Sequence, residues 1–419
     1  MRSNFQGEGT SSSPCFTLSL AQARKTIVSS VSALPGEQVA LSEALSRVTV
    51  VPLLASLPKP FYAQSTRDGF ALSGTAFSVD KTSSRFQLVG EIAAGSVAMS
   101  TLRSGEAVRI MTGGMIPAGC NRVVPFEGCQ EGNGLVTIAH AEIQGKQRYI
   151  RHVGSEHKAG DLLVDAGVHL QPDHLRVLAE NGLHNLFVYR RPEIAVLCTG
   201  SELVDVGETT RPGKKVSGNG ILLSSLLRLA GARCRCSLTV GDDVEAIQRK
   251  IEWCLDTDVD MIITTGGMGP GKYDLMQQVF DRLQGDMRYN QLMVRPGKST
   301  LFGMVGKVPF FALPGPPPAV RILFYELIMP ALAWQQGLEQ MDHLLTALLD
   351  TSLAVQQAGE YSLKSAVASC DDQGRLRVRP AGRGEPMGAI IHLDGGTQML
   401  HRDDRVKIRL VGPLQGLAG

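Results

Sequence analysis

Three glycine-rich loops carry the residue types best suited to holding a small anionic ligand. They read Thr199-Gly200-Ser201-Glu202, Thr265-Gly266-Gly267-Met268-Gly269-Pro270-Gly271 and Leu313-Pro314-Gly315-Pro316-Pro317-Pro318. Glycine lets backbone N–H groups approach a ligand closely, and a nearby helix N-terminus adds a favourable potential for an anion. Glycine and proline also simply end strands, but three such loops in one region favour binding. None matches a P-loop or a dinucleotide fingerprint, so the pattern predicts phosphate or oxyanion binding without naming the ligand.

Acidic residues stand beside these loops. They are Glu202, Asp242, Asp243 and Asp274. Carboxylates near an anionic ligand are unfavourable unless a cation lies between them, and Mg²⁺ takes one or two carboxylates together with substrate phosphates. Their grouping therefore predicts a magnesium site. The alternative is that each is a solvated cap, and Asp243 is equally well explained as the N-cap of the helix that follows.

Other polar groups could complete such a site. Arg295-Pro296-Gly297-Lys298 places two cations on a turn, which suits contact with a phosphate or an oxyanion. Asp68 lies between an arginine and a turn glycine, and Thr112 precedes two glycines at the end of a predicted strand. A surface charge pair and two ordinary turns are the alternative interpretations.

The elements that must position these loops alternate between strand and helix. Apolar runs at Ile194 to Leu197 and Met261 to Thr264 predict strands buried on both faces. Helical spacing follows the first from Ile221 to Leu229, then a strand from Ser237 to Val240, then a helix starting at Asp243. This order predicts a parallel sheet with crossover helices. Ligands of such sheets bind beyond the carboxyl ends of the strands, where the loops lie.

The rest of the chain shows other patterns of apolar residues. Apolar spacing predicts two helices near the start, over Leu20 to Val31 and Leu41 to Val48, with Ser19 and Ser42 as N-caps. A short amphipathic helix is predicted before Gly182. Alternating short runs over about 58–150, and again over about 342–419, predict two small β domains.

Composition excludes several classes of protein. The 419 residues carry 42 Lys and Arg against 40 Asp and Glu, a net charge of +2, which argues against nucleic acid as a partner. No apolar stretch is long enough for a membrane helix, and the polar start of the chain resembles no secretory signal. Eight scattered cysteines, of which Cys234 and Cys236 are predicted to share one strand face, indicate ordinary thiols. We expect a cytoplasmic protein.

A family resemblance rests on the order of these motifs. In sequence they are Asp68-Gly69-Phe70-Ala71, Thr112-Gly113-Gly114-Met115-Ile116-Pro117, Thr199-Gly200-Ser201-Glu202-Leu203, Asp242-Asp243, Thr265-Gly266-Gly267, Tyr273-Asp274, Pro296-Gly297-Lys298 and Leu313-Pro314-Gly315. Their succession resembles the molybdopterin molybdenumtransferases, the molybdenum-insertion enzymes of molybdenum cofactor synthesis, and is similar to the E domain of gephyrin. The resemblance covers about residues 16–415.

The resemblance implies a multidomain α/β protein. After a flexible tail over 1–15, it implies an extended helical domain made of 16–57 and 151–190, with a β domain inserted over 58–150. A molybdopterin-binding α/β domain with a parallel sheet would follow over 191–338, and a C-terminal β barrel over 339–419. It also implies an elongated homodimer whose site lies between the α/β domain of one subunit and parts of the other.

The reaction implied by the resemblance joins molybdate to adenylylated molybdopterin, uses Mg²⁺ and releases AMP. Family positions then assign catalysis to Asp68, Glu202 and Asp274, and the metal to Glu202, Asp242 or Asp243, and Asp274. The positions assigned to cofactor binding are Thr112, Gly200, Gly266, Gly267, Arg295, Lys298, Pro314 and Pro317. The molybdopterin adenylyltransferase is a candidate protein partner.

Several family positions depart from the usual pattern. Gly269 lacks the usual hydroxyl, Pro316 replaces an asparagine, Glu156 replaces a shorter acid, and Met387 stands in a usual Ser-Gly turn. Each lost hydrogen bond to a charged ligand costs about 1.5–3 kcal/mol. A second hypothesis is therefore a divergent paralogue that binds a pterin or nucleotide without inserting metal, as a carrier or scaffold. A third, an assembly protein with a partner groove as in gephyrin, has no sequence feature in its favour.

Overall fold

The computed structural model describes residues 16–74, 77–78, 82–93, 95–96, 101–269, 275–339, 343–355, 360–395 and 399–412. The chain divides into two compact units. The first contains the chain up to Glu37, Ser46–Val50 and the chain from Val188 onward. The second contains Gln38–Leu45 and Val51–Phe187. No helix among the described residues combines the length and the apolar character required to cross a membrane.

The predicted parallel sheet forms the centre of the first unit. Its six strands follow the spatial order Arg233–Val240, Glu193–Thr199, Met261–Thr265, Val308–Leu313, Leu301–Val305 and Asp286–Tyr289. The first four run parallel, and the last two are added antiparallel. Every residue of Met261–Thr265 is buried, as expected for a central strand covered on both faces.

Helices cover both faces of this sheet. One face packs on the helices Leu20–Ser30, Asn219–Leu229 and Pro317–Leu323, which continues through a π-helical turn, Phe324–Ile328, into Met329–Gln335. The other face packs on Val244–Leu255 and Leu275–Arg282. The predicted caps at Ser19 and Asp243 are confirmed, because each side chain accepts a hydrogen bond from the first turn of its helix.

A closed five-stranded barrel follows in the same unit, which confirms the predicted C-terminal barrel. Around the barrel the strands are Tyr361–Cys370, Leu376–Pro380, Leu345–Leu349, Arg405–Leu410 and Ala389–Leu393, and the last pairs with the first. The short strand Val294–Arg295 extends it by pairing with Tyr361–Cys370. Two short strands, Leu353–Ala354 and Met399–Leu400, form a separate pair.

The second unit is built on a mainly antiparallel sheet, as its alternating sequence predicts. In spatial order its strands are Cys129–Gly132, Leu135–Ala139, Ser83–Ile92, Glu106–Ile110, Gly69–Ser73 and Cys120–Pro125, and Phe77–Ser78 pairs with Ser83–Ile92. Two small pairings accompany the sheet, Leu53–Leu54 with Leu162–Val164 and Gln64–Ser65 with Ile150–Arg151. The helices are His140–Gln144 and the predicted Pro172–Glu180.

The prediction of a second helix near the start of the chain, over Leu41 to Val48, is wrong. The chain forms a strand, Gly36–Ala40, and then a single 3₁₀ turn, Leu41–Glu43. Ser46 has a φ of 60°, and an L-residue in the left-handed region cannot continue a right-handed helix. Ser42 therefore caps no α-helix, and the apolar spacing from Leu41 to Val48 reflects burial of individual residues in an irregular segment.

A β-bulge changes the predicted arrangement of two cysteines. Cys234 lies opposite Ile194 while Cys236 lies opposite Ala195, so Arg235 is an extra residue in the register. Because neighbouring residues on a strand face opposite sides, the two cysteines face opposite sides of the sheet. Cys234 packs on the face that holds Asn219–Leu229, and Cys236 on the face that holds Val244–Leu255. The prediction that they share a face is wrong.

A buried carboxylate joins the α/β part of the first unit to the barrel. Glu326 lies in the π-helical turn, and its side chain is fully buried. It forms an ion pair with Arg24, lies 2.9 Å from Nε of Arg409 and lies 3.2 Å from Nε2 of His392. One side chain thereby holds an N-terminal helix and two barrel strands.

Replacing Glu326 by Gln should destabilise the protein strongly. Removing one partner of a buried ionic cluster leaves uncompensated buried charge and typically costs about 3–5 kcal/mol. The free energy of unfolding in urea measures this loss. Glu245→Gln is the matched control, since Glu245 is exposed and lies 3.9 Å from Arg249; it should change stability by less than about 0.5 kcal/mol. Equal effects of the two substitutions would contradict the structural role of Glu326.

Candidate active site

A cleft of about 800 Å³ opens at the carboxyl ends of the parallel strands. This is the position that the topology of an open α/β sheet favours for a ligand. The segments around it include the loops after four strands and the first residues of three helices. Its lining residues are Thr199, Gly200, Glu202, Leu203, Lys215, Val216, Ser217, Gly218, Asn219, Asp242, Thr265, Gly266, Gly267, Met268, Gly269, Leu275, Gly315, Pro316 and Pro317.

Backbone hydrogen bonds hold the three glycine-rich loops together. The N–H of Gly266 donates to the carbonyl of Leu313 at 3.1 Å, and the N–H of Gly200 donates to the carbonyl of Val240 at 3.0 Å. The Thr199 hydroxyl donates to the carbonyl of Thr265 at 3.3 Å. The prediction that these loops meet at one edge of the sheet is confirmed by this network.

Gly266 is required by the close approach of two of these loops. Its φ is +94°, in the region that L side chains rarely adopt, and an added Cβ would lie 2.2 Å from the carbonyl oxygen of Thr199. Neither the backbone angle nor the space permits a side chain. The glycine is therefore needed to shape the cleft, whatever ligand binds there.

Asn219 connects the floor of the cleft to the helix that begins there. Its Nδ2 donates to the Thr265 hydroxyl at 3.2 Å and to the carbonyl of Gly315 at 2.9 Å. The helix Asn219–Leu229 starts at this residue, and its N-cap, Gly218, provides no side-chain hydrogen bond. The first N–H groups of a helix carry a partial positive charge, so this end of the cleft favours an anion.

Two adjacent lysines, which the sequence analysis did not single out, contact the loop that follows Glu193–Thr199. Lys215 lines the cleft and pairs with Oε1 of Glu202 at 2.9 Å. Lys214 donates to the carbonyl of Ser201 at 2.5 Å. The hydrogen bond from Lys215 is the main cause that lowers the pKa of Glu202, so this carboxylate is ionised at neutral pH. The sequence does contain a signal for these residues: a pair of lysines lies between a glycine-rich loop and the helix that follows it.

The structure separates the roles of Asp242 and Asp243. Asp242 lines the cleft, and its Oδ2 accepts a hydrogen bond from the N–H of Ser201 at 2.8 Å. Asp243 instead caps the helix Val244–Leu255 by accepting from the N–H of Ala246 at 2.7 Å. The cap interpretation accounts for Asp243, while Asp242 stays available to a ligand in the cleft.

Other predicted site residues of this unit lie elsewhere. Arg295 pairs with Glu360 and is half exposed, and neither Arg295 nor Lys298 is part of the cleft lining. Pro314 precedes the lining segment, while Pro317 belongs to it. Asp274 lies outside the described residues. Among those residues, no group of three or more His, Cys, Asp or Glu is arranged to hold a metal.

Asp68 and Thr112 lie in the second unit, and the structure brings them together. Oδ1 of Asp68 accepts hydrogen bonds from the N–H of Thr112 at 2.6 Å and from its hydroxyl at 2.7 Å. The backbone hydrogen bond and then the hydroxyl lower the pKa of Asp68 below its ordinary value of 3.8. The functional role of both loops stays a prediction. The structure does show that Asp68 and Thr112 are in direct contact.

The four departures from the family pattern divide into two groups. Gly269 and Pro316 line the cleft. Glu156 lies in the second unit, where it pairs with Arg151 at 2.8 Å and with Lys59 at 3.6 Å. Met387 is buried, and its carbonyl accepts a hydrogen bond from Arg321 at 3.0 Å. Only the first two can alter contacts inside the cleft.

Comparison with known proteins identifies the family. Residues 18–182 match the family described as MoeA N-terminal region (domain I and II), and residues 195–334 match the family described as probable molybdopterin binding domain. The molybdopterin molybdenumtransferase of Staphylococcus aureus (strain COL) is 30% identical over 331 residues, 78% of each chain. The chain belongs to the molybdopterin molybdenumtransferase family. It is accordingly a transferase with a role in molybdenum cofactor biosynthesis.

Two further comparisons agree with this family assignment and with the fold. The molybdopterin molybdenumtransferase of Staphylococcus epidermidis (strain ATCC 12228 / FDA PCI 1200) is 30% identical over 321 residues, 75% of each chain. The crystal structure of the molybdopterin biosynthesis MoeA protein from Pyrococcus horikosii has the same fold, with a TM-score of 0.79 at 23% identity, and the match covers 94% of this chain and 99% of that one. The resemblance and the fold class inferred from the motifs are both confirmed.

The close approach at Gly266 gives a stability prediction. Gly266→Ala should lower the free energy of unfolding by about 1–3 kcal/mol, because alanine is strained at this φ and its methyl group meets the Thr199 carbonyl. Gly269→Ala is the matched control in the same loop, since an added Cβ there meets no described atom within 4 Å. Urea denaturation of both variants measures the difference; a Gly266→Ala variant as stable as the control would contradict it.

The Asp68–Thr112 contact gives a pH prediction. The folded pKa of Asp68 lies below its ordinary value, so the contact adds stability above that ordinary value, and this contribution is lost as the pH falls through the folded pKa. Thr112→Val removes the hydroxyl but keeps the backbone N–H, so the pKa should rise part of the way toward 3.8. Thr112→Ser should keep it low. NMR titration of the Asp68 carboxyl carbon checks both variants, and an unchanged titration in Thr112→Val would refute the contact.

Proposed function

We propose that this protein inserts molybdenum into adenylylated molybdopterin and releases AMP. The cleft at the strand ends is the observation that carries the proposal, since it combines a glycine-rich loop, an uncapped helix start and two carboxylates in one place. The similarity to two molybdopterin molybdenumtransferases supports the substrate class. We assign the phosphate groups of the substrate to the amides of the loop that follows Gly266 and to the helix start at Asn219.

The residues of the cleft fit a magnesium ion held partly by substrate. Glu202 and Asp242 are its two carboxylates among the described residues. Asp242 uses Oδ2 to hold the Ser201 N–H, and its Oδ1 accepts no hydrogen bond from the described residues. Since Mg²⁺ typically takes one or two carboxylates together with phosphate oxygens, Glu202 and Asp242 are its proposed ligands. When bound, the ion would offset negative charge on the phosphates during cleavage of the P–O bond.

The chain's own residues supply placement and electrostatic stabilisation. Lys215 keeps Glu202 ionised, and Asn219 holds the Thr265 and Gly315 loops at a fixed separation. Oriented amides stabilise the charge that develops as AMP leaves, without reorganising during the reaction. Phosphoryl transfer depends mainly on positioning and electrostatic stabilisation, which agrees with a cleft lined by glycine-rich loops, two carboxylates and a lysine.

The direct test is AMP release. The purified protein is incubated with adenylylated molybdopterin, molybdate and Mg²⁺, and AMP is quantified by chromatography. Release that depends on molybdate supports insertion. Binding of the pterin nucleotide without release, under conditions where a family enzyme turns over, would instead support the carrier or scaffold hypothesis. That alternative is favoured by Gly269 and Pro316, which bring no side-chain donor into the cleft.

Adjacent acids allow a sharper test of the metal assignment. Asp242→Asn should reduce AMP release by about 100-fold or more, because it removes a proposed metal ligand in a preorganised site. Asp243→Asn makes the same charge change one residue away, but asparagine is an equally good helix cap and should retain most activity. Glu208→Gln, at an exposed position outside the cleft lining, controls for net charge. Similar losses at Asp242 and Asp243 would contradict the division of roles.

The homodimer implied by the family is also part of the proposal. The molar mass in solution, measured by light scattering, should be twice the 45.0 kDa of one chain. The molybdopterin adenylyltransferase is the proposed source of the adenylylated substrate and a candidate partner.

A further inference from the structure

Two cysteine sulfurs lie within contact distance on the sheet face opposite Asn219–Leu229. Sγ of Cys236 is 3.7 Å from Sγ of Cys254. Cys236 belongs to the edge strand Arg233–Val240, and Cys254 to the helix Val244–Leu255 that packs on it. The β-bulge at Arg235 creates this contact, because a regular strand would turn Cys236 to the same face as Cys234.

We propose that Cys236 and Cys254 form an oxidisable dithiol, a modification site at which a peroxide converts the two thiols into one intrachain disulfide. The sulfurs need to close only from 3.7 Å to the roughly 2.05 Å of a disulfide bond. The proposal does not depend on the proposed function.

The surroundings assign different roles to the two thiols. Cys236 is half-buried on an open sheet edge, whereas Cys254 is fully buried. The hydrogen-bonding contact between the two sulfurs lowers the pKa of Cys236 below its ordinary value and raises the pKa of Cys254. Cys236 is therefore the accessible thiol that meets the oxidant, and Cys254 is the buried thiol that closes the disulfide.

The chemistry balances with hydrogen peroxide as the oxidant. The Cys236 thiolate attacks one peroxide oxygen, the O–O bond breaks, and the departing hydroxide takes a proton to become water, leaving a sulfenic acid. The Cys254 sulfur then attacks the Cys236 sulfur, the S–O bond breaks, and the hydroxide leaves as water with the Cys254 proton. Together the two thiols lose two electrons, and one hydrogen peroxide molecule is reduced to two water molecules.

The pair also brackets a segment of the candidate active site. The connection between the strand and the helix, which carries Asp242, lies between the two cysteines in the chain. A disulfide would close this segment into a loop and tie the edge strand to the helix.

Peptide mapping tests the proposal on the full chain. The reduced protein is treated with hydrogen peroxide, the remaining thiols are alkylated, and the protein is digested with trypsin, which separates the two cysteines by cleaving after Arg249 and Lys250. We expect a linked peptide pair joining Cys236 to Cys254, the loss of two alkylatable thiols, and recovery of both with dithiothreitol. Cys370→Ser, which removes an exposed cysteine elsewhere, should leave the linked pair unchanged.

Three results would overturn the proposal: no oxidation at Cys236, oxidation of Cys236 to a sulfinic acid with Cys254 still free, or a disulfide from Cys236 to another cysteine. Cys254→Ala should abolish the linked peptide. If that variant fails to fold, the wild-type protein provides the second measurement, the pH profile of Cys236 alkylation. Its midpoint should lie below the ordinary thiol value of 9.0, and a midpoint at or above that value would equally overturn the proposal.

Discussion

The central constraint of the structure is a parallel sheet that is buried on both faces. Parallel strands end at the same edge, so every loop that leaves such an edge is brought to the same place by topology alone. Here the loops after Glu193–Thr199, Met261–Thr265 and Val308–Leu313 are further fixed by hydrogen bonds from Gly200 and Gly266. The candidate active site is therefore a consequence of the sheet, which brings these loops together.

This constraint explains why the position of the cleft can be predicted from the sequence without knowing how its side chains are arranged. Alternating apolar runs and helices identify a parallel sheet, and a parallel sheet determines where its loops meet. The sequence could also identify Asp242 and Asp243 as candidates, but not divide their roles. That division depends on which carboxylate meets the N–H of Ala246, a matter of local geometry that two identical neighbouring side chains do not reveal.

The failed predictions have specific physical causes. Apolar spacing from Leu41 to Val48 fits a helix, yet the positive φ of Ser46 interrupts it. Strand periodicity places Cys234 and Cys236 on one face, yet the extra residue Arg235 separates them. Lys215 was missed because a lysine pair before a helix usually indicates a solvated surface, and only the contact with Glu202 distinguishes it. Each of these features depends on one residue's backbone or one tertiary contact, which periodicity cannot detect.

The structure of the cleft shows which of its groups are changed by the departures from the family pattern. Gly269 and Pro316 remove side-chain donors, but they leave unchanged the start of the helix at Asn219 and the carboxylates of Glu202 and Asp242. A substrate with several phosphate oxygens is held mainly by charge and by oriented dipoles, and these are the groups that the sheet itself fixes. The departures therefore bear more on how the proposed ligand is oriented than on whether it binds.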